Sequence, residues 1–128
     1  MQILLDTHIA LWALSDDRRL SAYARDAVSD PDNAIWVSAA SIWEIAIKHA
    51  FGRSGIPFSA RKAIDYFDQA GYQLLAVQPE HAAVVETLPP LHGDPFDRML
   101  IAQALTEPLR LMTHDQTLAT YSDTVILV

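Results

Sequence analysis

No cysteine occurs among the 128 residues, so disulfides, thiolate metal sites and cysteine nucleophiles are excluded, and the chain suits a reducing compartment. Glycine is scarce, at four residues, while 51% of the chain is hydrophobic; this usage belongs to a packed core and not to a linker or low-complexity chain. Long apolar runs are missing as well, since none approaches the roughly 20 residues that cross a bilayer. The opening Met1 to Asp6 carries neither a basic leader nor a small-residue cleavage site. A cytoplasmic protein without a membrane segment is expected. Basic residues are the last deficit: nine Lys and Arg face sixteen Asp and Glu, a formal net charge of −7, which argues against a protein that grips nucleic acid over a broad basic face. The length restricts the chain to one domain, residues 1–128.

What is present alternates. Gln2 to Leu5 is a short apolar run ending in Asp6, and Ile9, Leu11, Trp12 and Leu14 follow at the spacing of a helix face. Ser21 is placed to cap a helix through Val28, and Ala34 to Val37 reads as a buried strand. From Ser38 to Ala50, Ile42, Trp43, Ile45, Ala46 and Ile47 predict a helix buried on most sides, with Gly52 just past its end. Ser59 caps a helix over 60–70, Tyr72 to Val77 forms a third strand, and Pro79 opens a helix to Glu86. A helix from Phe96 to about Leu105, strands at 110–113 and 125–128, and a short helix over 116–121 complete the chain. Near-continuous apolar strands alternating with helices predict an α/β fold with a parallel sheet covered on both faces.

In such a fold ligands lie beyond the carboxyl ends of the strands. Asp6 and Asp115 follow strands, while Glu44 and Asp97 lie on helices able to lean over the same edge. Each has a plain structural alternative. Asp6 and Asp115 also suit helix caps. Glu44, set between Trp43 and Ile45, is costly to bury unpartnered and has Lys48 one helical turn on. Asp94 fits the cap of the helix opened by Pro95, which leaves Asp97 in the first turn; there the helix dipole is expected to lower its pKa, with Arg98 as the alternative partner. Taken together, four clustered carboxylates do not all stay ionised without a cation. All-oxygen ligands select Mg²⁺ or Mn²⁺, and the chemistry such a site serves is cleavage or transfer at phosphorus.

Thr7, Ser38, Ser41 and Thr113 are placed to bond these acids or water at the site, or else to cap helices. His8 and His114 adjoin the acids as candidate substrate contacts. No two of the five histidines pair at helical spacing and H-E-x-x-H is missing, so a zinc hydrolase is not expected. Nucleophile-elbow, phosphate-loop and dinucleotide motifs are missing too. Between Glu44 and Asp65 no acid occurs, while Lys48, His49, Arg53, Arg61 and Lys62 do. That basic island is either a solvated helix end and loop or a phosphate-contacting surface, with Lys48, Arg53, Arg61 and Lys62 as the candidate phosphate contacts.

Four segments in order carry a family resemblance: Leu4-Leu5-Asp6-Thr7-His8, Ser38 to Ile45, His92-Gly93-Asp94-Pro95-Phe96-Asp97-Arg98 continuing to Ala104, and Met112-Thr113-His114-Asp115. Together they resemble the PIN-domain ribonucleases and, within them, the VapC-type toxins of prokaryotic toxin-antitoxin pairs, over nearly the whole chain. The resemblance implies a three-layer α/β/α sandwich with a parallel sheet of four to five strands and endoribonuclease activity dependent on Mg²⁺ or Mn²⁺. It also implies a homodimer, and neutralisation by a cognate VapB-type antitoxin whose other end binds promoter DNA, so that DNA contact is indirect. Asp6, Glu44, Asp97 and Asp115 match the family's four acidic positions, Asp94 is an additional acid typical of this subfamily, and Thr113 matches a frequent hydroxyl position.

Two other classes compete. A phosphoryl-transfer domain of receiver or phosphatase type also places Asp after a first strand, but it calls for a second acid beside Asp6 or a late Lys, and no Lys occurs beyond Lys62. A non-catalytic interaction module would use the acids as caps and surface groups; Mg²⁺ or Mn²⁺ binding that depends on Asp6 and Asp97 separates it from the enzyme.

Overall fold

The computed structural model describes residues 1–52 and 55–128. Five strands, β1 (Gln2–Leu5), β2 (Ala34–Ser38), β3 (Gln73–Leu75), β4 (Arg110–Thr113) and β5 (Ile126–Leu127), form one sheet in the order β3-β2-β1-β4-β5. Every pairing is parallel. Among the described residues seven helices join them: α1 (Thr7–Ser15), α2 (Ala22–Ser29), α3 (Ala39–Phe51), α4 (Ala60–Gln69), α5 (Pro79–Val85), α6 (Pro95–Thr106) and α7 (Gln116–Ala119).

Strand alternation produces the layers. Ile3 and Leu5 point into a cluster with Ile9, Ile45, Ala63 and Phe67 from α1, α3 and α4, while Leu4 points into a second cluster with Leu100, Ile101 and Leu118 from α6 and α7. β4 divides likewise, with Met112 in the first cluster and Leu111 in the second. A side-chain period of two thus buries both faces of the sheet and yields the expected α/β/α sandwich. No helix among the described residues is long and apolar enough to cross a membrane.

Caps set where helices start. Asp6, Ser21, Ser38, Ser59, Asp94 and Asp115 each accept a backbone N–H from the first turn of the helix that follows. Gly52 ends α3 at a φ of +65°, a left-handed conformation that glycine takes without a Cβ clash. At the edges the sequence pattern over-reads length. Tyr72 to Val77 contributes only Gln73–Leu75, because β3 pairs with β2 alone and β2 ends at Ser38, opposite Leu75. Tyr72 instead stacks on Phe67. The last strand is Ile126–Leu127, not 125–128, and α7 stops at Ala119. A further correction concerns α3: it is not buried on most sides, since Trp43 is 63% exposed and packs edge-on against Phe96 of α6.

β1 is central, and the chain runs outward from it to β2 and β3 before crossing to β4 on its other side. The strand order therefore reverses beside β1, where parallel sheets open a crevice at their carboxyl ends. Asp6 closes β1 at that point, with its backbone N–H donating to Met112 O of β4 at 3.0 Å.

Candidate active site

Two threonines each hold one buried acid. Thr113, the last residue of β4, donates its hydroxyl to Asp6 Oδ2 at 2.5 Å and accepts the Asp115 N–H at 3.0 Å. Asp6 Oδ1 accepts the Ile9 amide at 3.0 Å, so one carboxylate both caps α1 and faces the crevice. Thr7 donates to Glu44 Oε1 at 2.7 Å and lies 2.9 Å from Ser41 Oγ. Glu44 is 4% exposed, and its other oxygen takes Lys48 Nζ at 2.6 Å. Ser38 bonds no acid; it caps α3 through the Ala40 amide.

Asp94 caps α6, accepting the amides of Phe96 and Asp97 on one oxygen. Asp97 thereby stands in the first turn, turned toward the other acids. Arg98 does not pair with it. The guanidinium instead donates to the carbonyls of Val85, Leu88, Pro89 and His92 and to the Tyr121 hydroxyl. The partner of Asp97 is His92, whose Nε2 lies 3.3 Å from Asp97 Oδ2 and donates to Asp115 Oδ2 at 2.8 Å. Asp115 in turn caps α7 through the Thr117 amide at 2.8 Å.

The charges are felt mutually. Burial, then the charges of Asp94 and Asp6, with a smaller contribution from Glu44, push Asp97 up to about 7, while His92 acts in the opposite direction. This reverses the expectation of a lowered pKa, because the dipole of one helix end is outweighed by desolvation and several neighbouring carboxylates. Burial also raises Asp6, and Glu44 adds to it, despite hydrogen bonds from Ile9 and Thr113. Asp115 is the exception. Its burial is offset by the His92 hydrogen bond and by the Thr117 and Leu118 amides, and it titrates below the ordinary carboxylate range.

The fold thus brings Asp6, Glu44, Asp97 and Asp115 to one edge, with Thr7, Ser41, Asp94 and Thr113 around them. Capping and clustering are both realised, since Asp6 and Asp115 cap helices with the same groups that line the crevice. A groove of about 370 Å³ runs from Thr7 and Glu44 past His8, Trp12, Arg19 and Lys48 toward Phe58. His8 and His114 flank the Trp12 ring at 6.2 and 5.4 Å, His8 near enough to act on the Asp6 carboxylate, and Arg19 lies over that ring. Arg61 and Lys62 are exposed in the first turn of α4, while Arg53 lies outside the described residues. In the sequence His92 and Arg98 stand out only within the family-like segment, with Arg98 as a partner for Asp97, and Tyr121 is not marked at all. The one available cue was the placement of His92 two residues before a capping Asp, which turns its side chain back toward the helix start.

Fold and site define an α/β/α domain with an acidic crevice where the strand order of a parallel sheet reverses. The family model for the PIN domain matches residues 3–123, and the chain belongs to the PIN-domain family. It is 30% identical over 122 residues to Ribonuclease VapC22 of Mycobacterium tuberculosis (strain ATCC 25618 / H37Rv), covering 93% of this chain and 91% of that protein. Among solved structures, the fold is similar to VapBC2 from Rickettsia felis bound to a promoter DNA fragment, with a TM-score of 0.72 at 16% identity over 100% of this chain and 98% of that one. DNA-bound VapBC from Salmonella typhimurium is similar with a TM-score of 0.71 at 12% identity, covering 100% and 97% of the two chains.

Proposed function

We propose that the chain is a VapC-type toxin, a single-domain endoribonuclease that hydrolyses RNA phosphodiester bonds with Mg²⁺ or Mn²⁺ held by Asp6, Glu44, Asp97 and Asp115. One observation carries this reading: four carboxylates, after β1, on α3, on α6 and after β4, share one edge, where burial and then the charges of Asp94, Asp6 and Glu44 lift Asp97 to about 7. Such a set lacks positive charge. Lys48 supplies some to Glu44, and His92 offers only a hydrogen bond to Asp115 and Asp97. The donor set is all oxygen, which fits a hard divalent cation. Bound there, Mg²⁺ or Mn²⁺ supplies Lewis-acid charge stabilisation at the phosphoryl oxygens and acidifies water at the site.

The chain's own residues set the frame for that chemistry. Thr113 and the Ile9 amide hold Asp6 in one orientation, Thr7 holds Glu44, and the caps on α6 and α7 fix the backbones that carry Asp97 and Asp115. Purified chain is expected to cleave RNA with Mn²⁺ or Mg²⁺, to stop when EDTA is added, and to lose cleavage on Asp6→Asn with its circular dichroism retained. Cleavage that persists in EDTA would sink the metal-dependent reading.

RNA reaches the crevice along the groove beside Lys48, with Arg61 and Lys62 contacting phosphate further out. Reversing both to Glu is expected to weaken RNA binding and to lower the salt slope by nearly two phosphate contacts; an unchanged slope removes these residues from the path. An apolar groove of about 540 Å³ between α3, α5 and α6, lined by Trp43, Val77, Val85, Phe96 and Met99, supports pairing with a second copy. The similarity to VapBC assemblies supports neutralisation in the cytoplasm by a VapB-type antitoxin, with DNA contacted through that partner.

A further inference from the structure

We infer that His92 is a positioning residue: it holds Asp115 and Asp97 for the cation as a hydrogen-bond donor and is not itself a metal ligand. The inference rests on the metal-site reading above. Ligand atoms of His92, Asp97 and Asp115 lie within 4.8 Å of one another, a spacing that by itself suggests a mixed nitrogen and oxygen site. The other ring nitrogen decides otherwise. His92 Nδ1 accepts the backbone N–H of Asp94 at 3.0 Å, so Nδ1 presents a lone pair and the ring proton sits on Nε2. That proton points at Asp115 Oδ2, 2.8 Å away, with Asp97 Oδ2 at 3.3 Å. A metal on Nε2 would need the proton moved to Nδ1, where it would meet the Asp94 amide hydrogen. The geometry therefore makes the ring a donor, bridging two acids held at the starts of α6 and α7.

The ring cannot swing freely, because its backbone is built in. Tyr121 OH accepts the His92 N–H at 3.0 Å and donates to Pro89 O at 2.9 Å. Arg98 Nη1 reaches the same hydroxyl at 3.2 Å and Pro89 O at 3.1 Å. A loop fixed by an arginine and a tyrosine thus carries the imidazole to one place, and a donor in that place orients Asp115 as outer partners orient metal ligands. The cation site then remains all oxygen, and Mg²⁺ and Mn²⁺ depend on His92 alike.

Two variants separate the roles. Asn at 92 keeps an oxygen near Nδ1 to accept the Asp94 amide, as short Asx turns do, but brings no donor to Asp115; Gln places an amide N–H near Nε2. Titrations of Mg²⁺ and Mn²⁺ into the full chain are expected to show His92→Asn losing about tenfold in affinity for both ions, with His92→Gln recovering part of the loss. Nitrogen-15 NMR of the wild-type imidazole is expected to report the Nε2–H tautomer both before and after Mg²⁺. A loss confined to Mn²⁺, or a switch to Nδ1–H on metal addition, would make His92 a ligand and overturn the inference. Wild-type cation binding with His92→Asn unchanged sinks this assignment alone. No cation binding by the wild-type chain sinks it together with the functional reading.

Discussion

Asp97→Asn is expected to abolish RNA cleavage to within background, a loss on the order of 10²- to 10³-fold or more, while making the metal-free chain more heat-stable at pH 8. The two effects have one cause. Asp97 is the acid on which the other charges converge, raised to about 7 from an ordinary 3.8 by burial and by Asp94 and Asp6. A folded-state pKa above the unfolded value means the folded chain binds that proton more tightly. Its stabilising contribution is complete below 3.8 and is lost as pH rises through about 7. At pH 8 the wild-type carboxylate is therefore ionised in a place that disfavours ionisation. Asparagine has the same shape and no charge at any pH, so it escapes the repulsion, and a rise in melting temperature on the order of a few degrees follows.

The comparison has an internal control. At pH 5 folded Asp97 is protonated while the unfolded carboxyl is still mostly ionised, so the difference in melting temperature should narrow, closing only as pH falls below 3.8. Saturating Mg²⁺ at pH 8 should stabilise the wild type by mass action and shift the weakly binding variant much less. Thermal melts at the two pH values, with and without Mg²⁺, read all of this. A variant less stable than wild type at pH 8 would show that Asp97 is not under charge strain, and retained cleavage would end the four-acid mechanism.

What the sequence shows and hides about this site follows a physical division. Asp6, Asp94 and Asp115 were legible because a cap is a local event: a short polar side chain beside a helix start either reaches an amide two or three residues on or it does not. The parallel sheet was legible because strands buried on both faces read as apolar runs. Asp97 was placed correctly but its charge state was misjudged. The helix dipole is visible in a dozen residues, whereas proximity to Asp6 exists only after α6 has packed on the sheet that contains β1. Trp43 shows the same limit for burial, since helical spacing marks an apolar face without saying whether a neighbour covers it. His92 was hidden for a subtler reason. Its role depends on which ring nitrogen carries the proton, and that is set by one backbone amide in a loop ordered by Arg98 and Tyr121.

Divalent cation affinity is expected to fall about tenfold for each pH unit below 7, and by roughly a hundredfold between pH 7 and pH 5, because each cation bound must displace the proton on Asp97. The window follows from the group. Above about 7 Asp97 is ionised, no proton is released, and affinity should be level. Asp6 is also raised, so the slope steepens beyond one proton wherever its titration overlaps that of Asp97. Asp115 contributes nothing in this range, because its pKa lies below the ordinary carboxylate value. Calorimetric Mn²⁺ titrations in buffers of different ionisation enthalpy count the protons directly: about one or more released at pH 6, and none at pH 8. Asp97→Asn should bind weakly and lose most of the slope, since the displaced proton no longer exists. An affinity independent of pH between 5 and 7 would mean that the cation does not sit against Asp97, and the crevice would then need a different occupant. The same competition predicts that cleavage at limiting Mn²⁺ falls in acid and recovers when Mn²⁺ is raised, whereas acid damage to the fold would not recover.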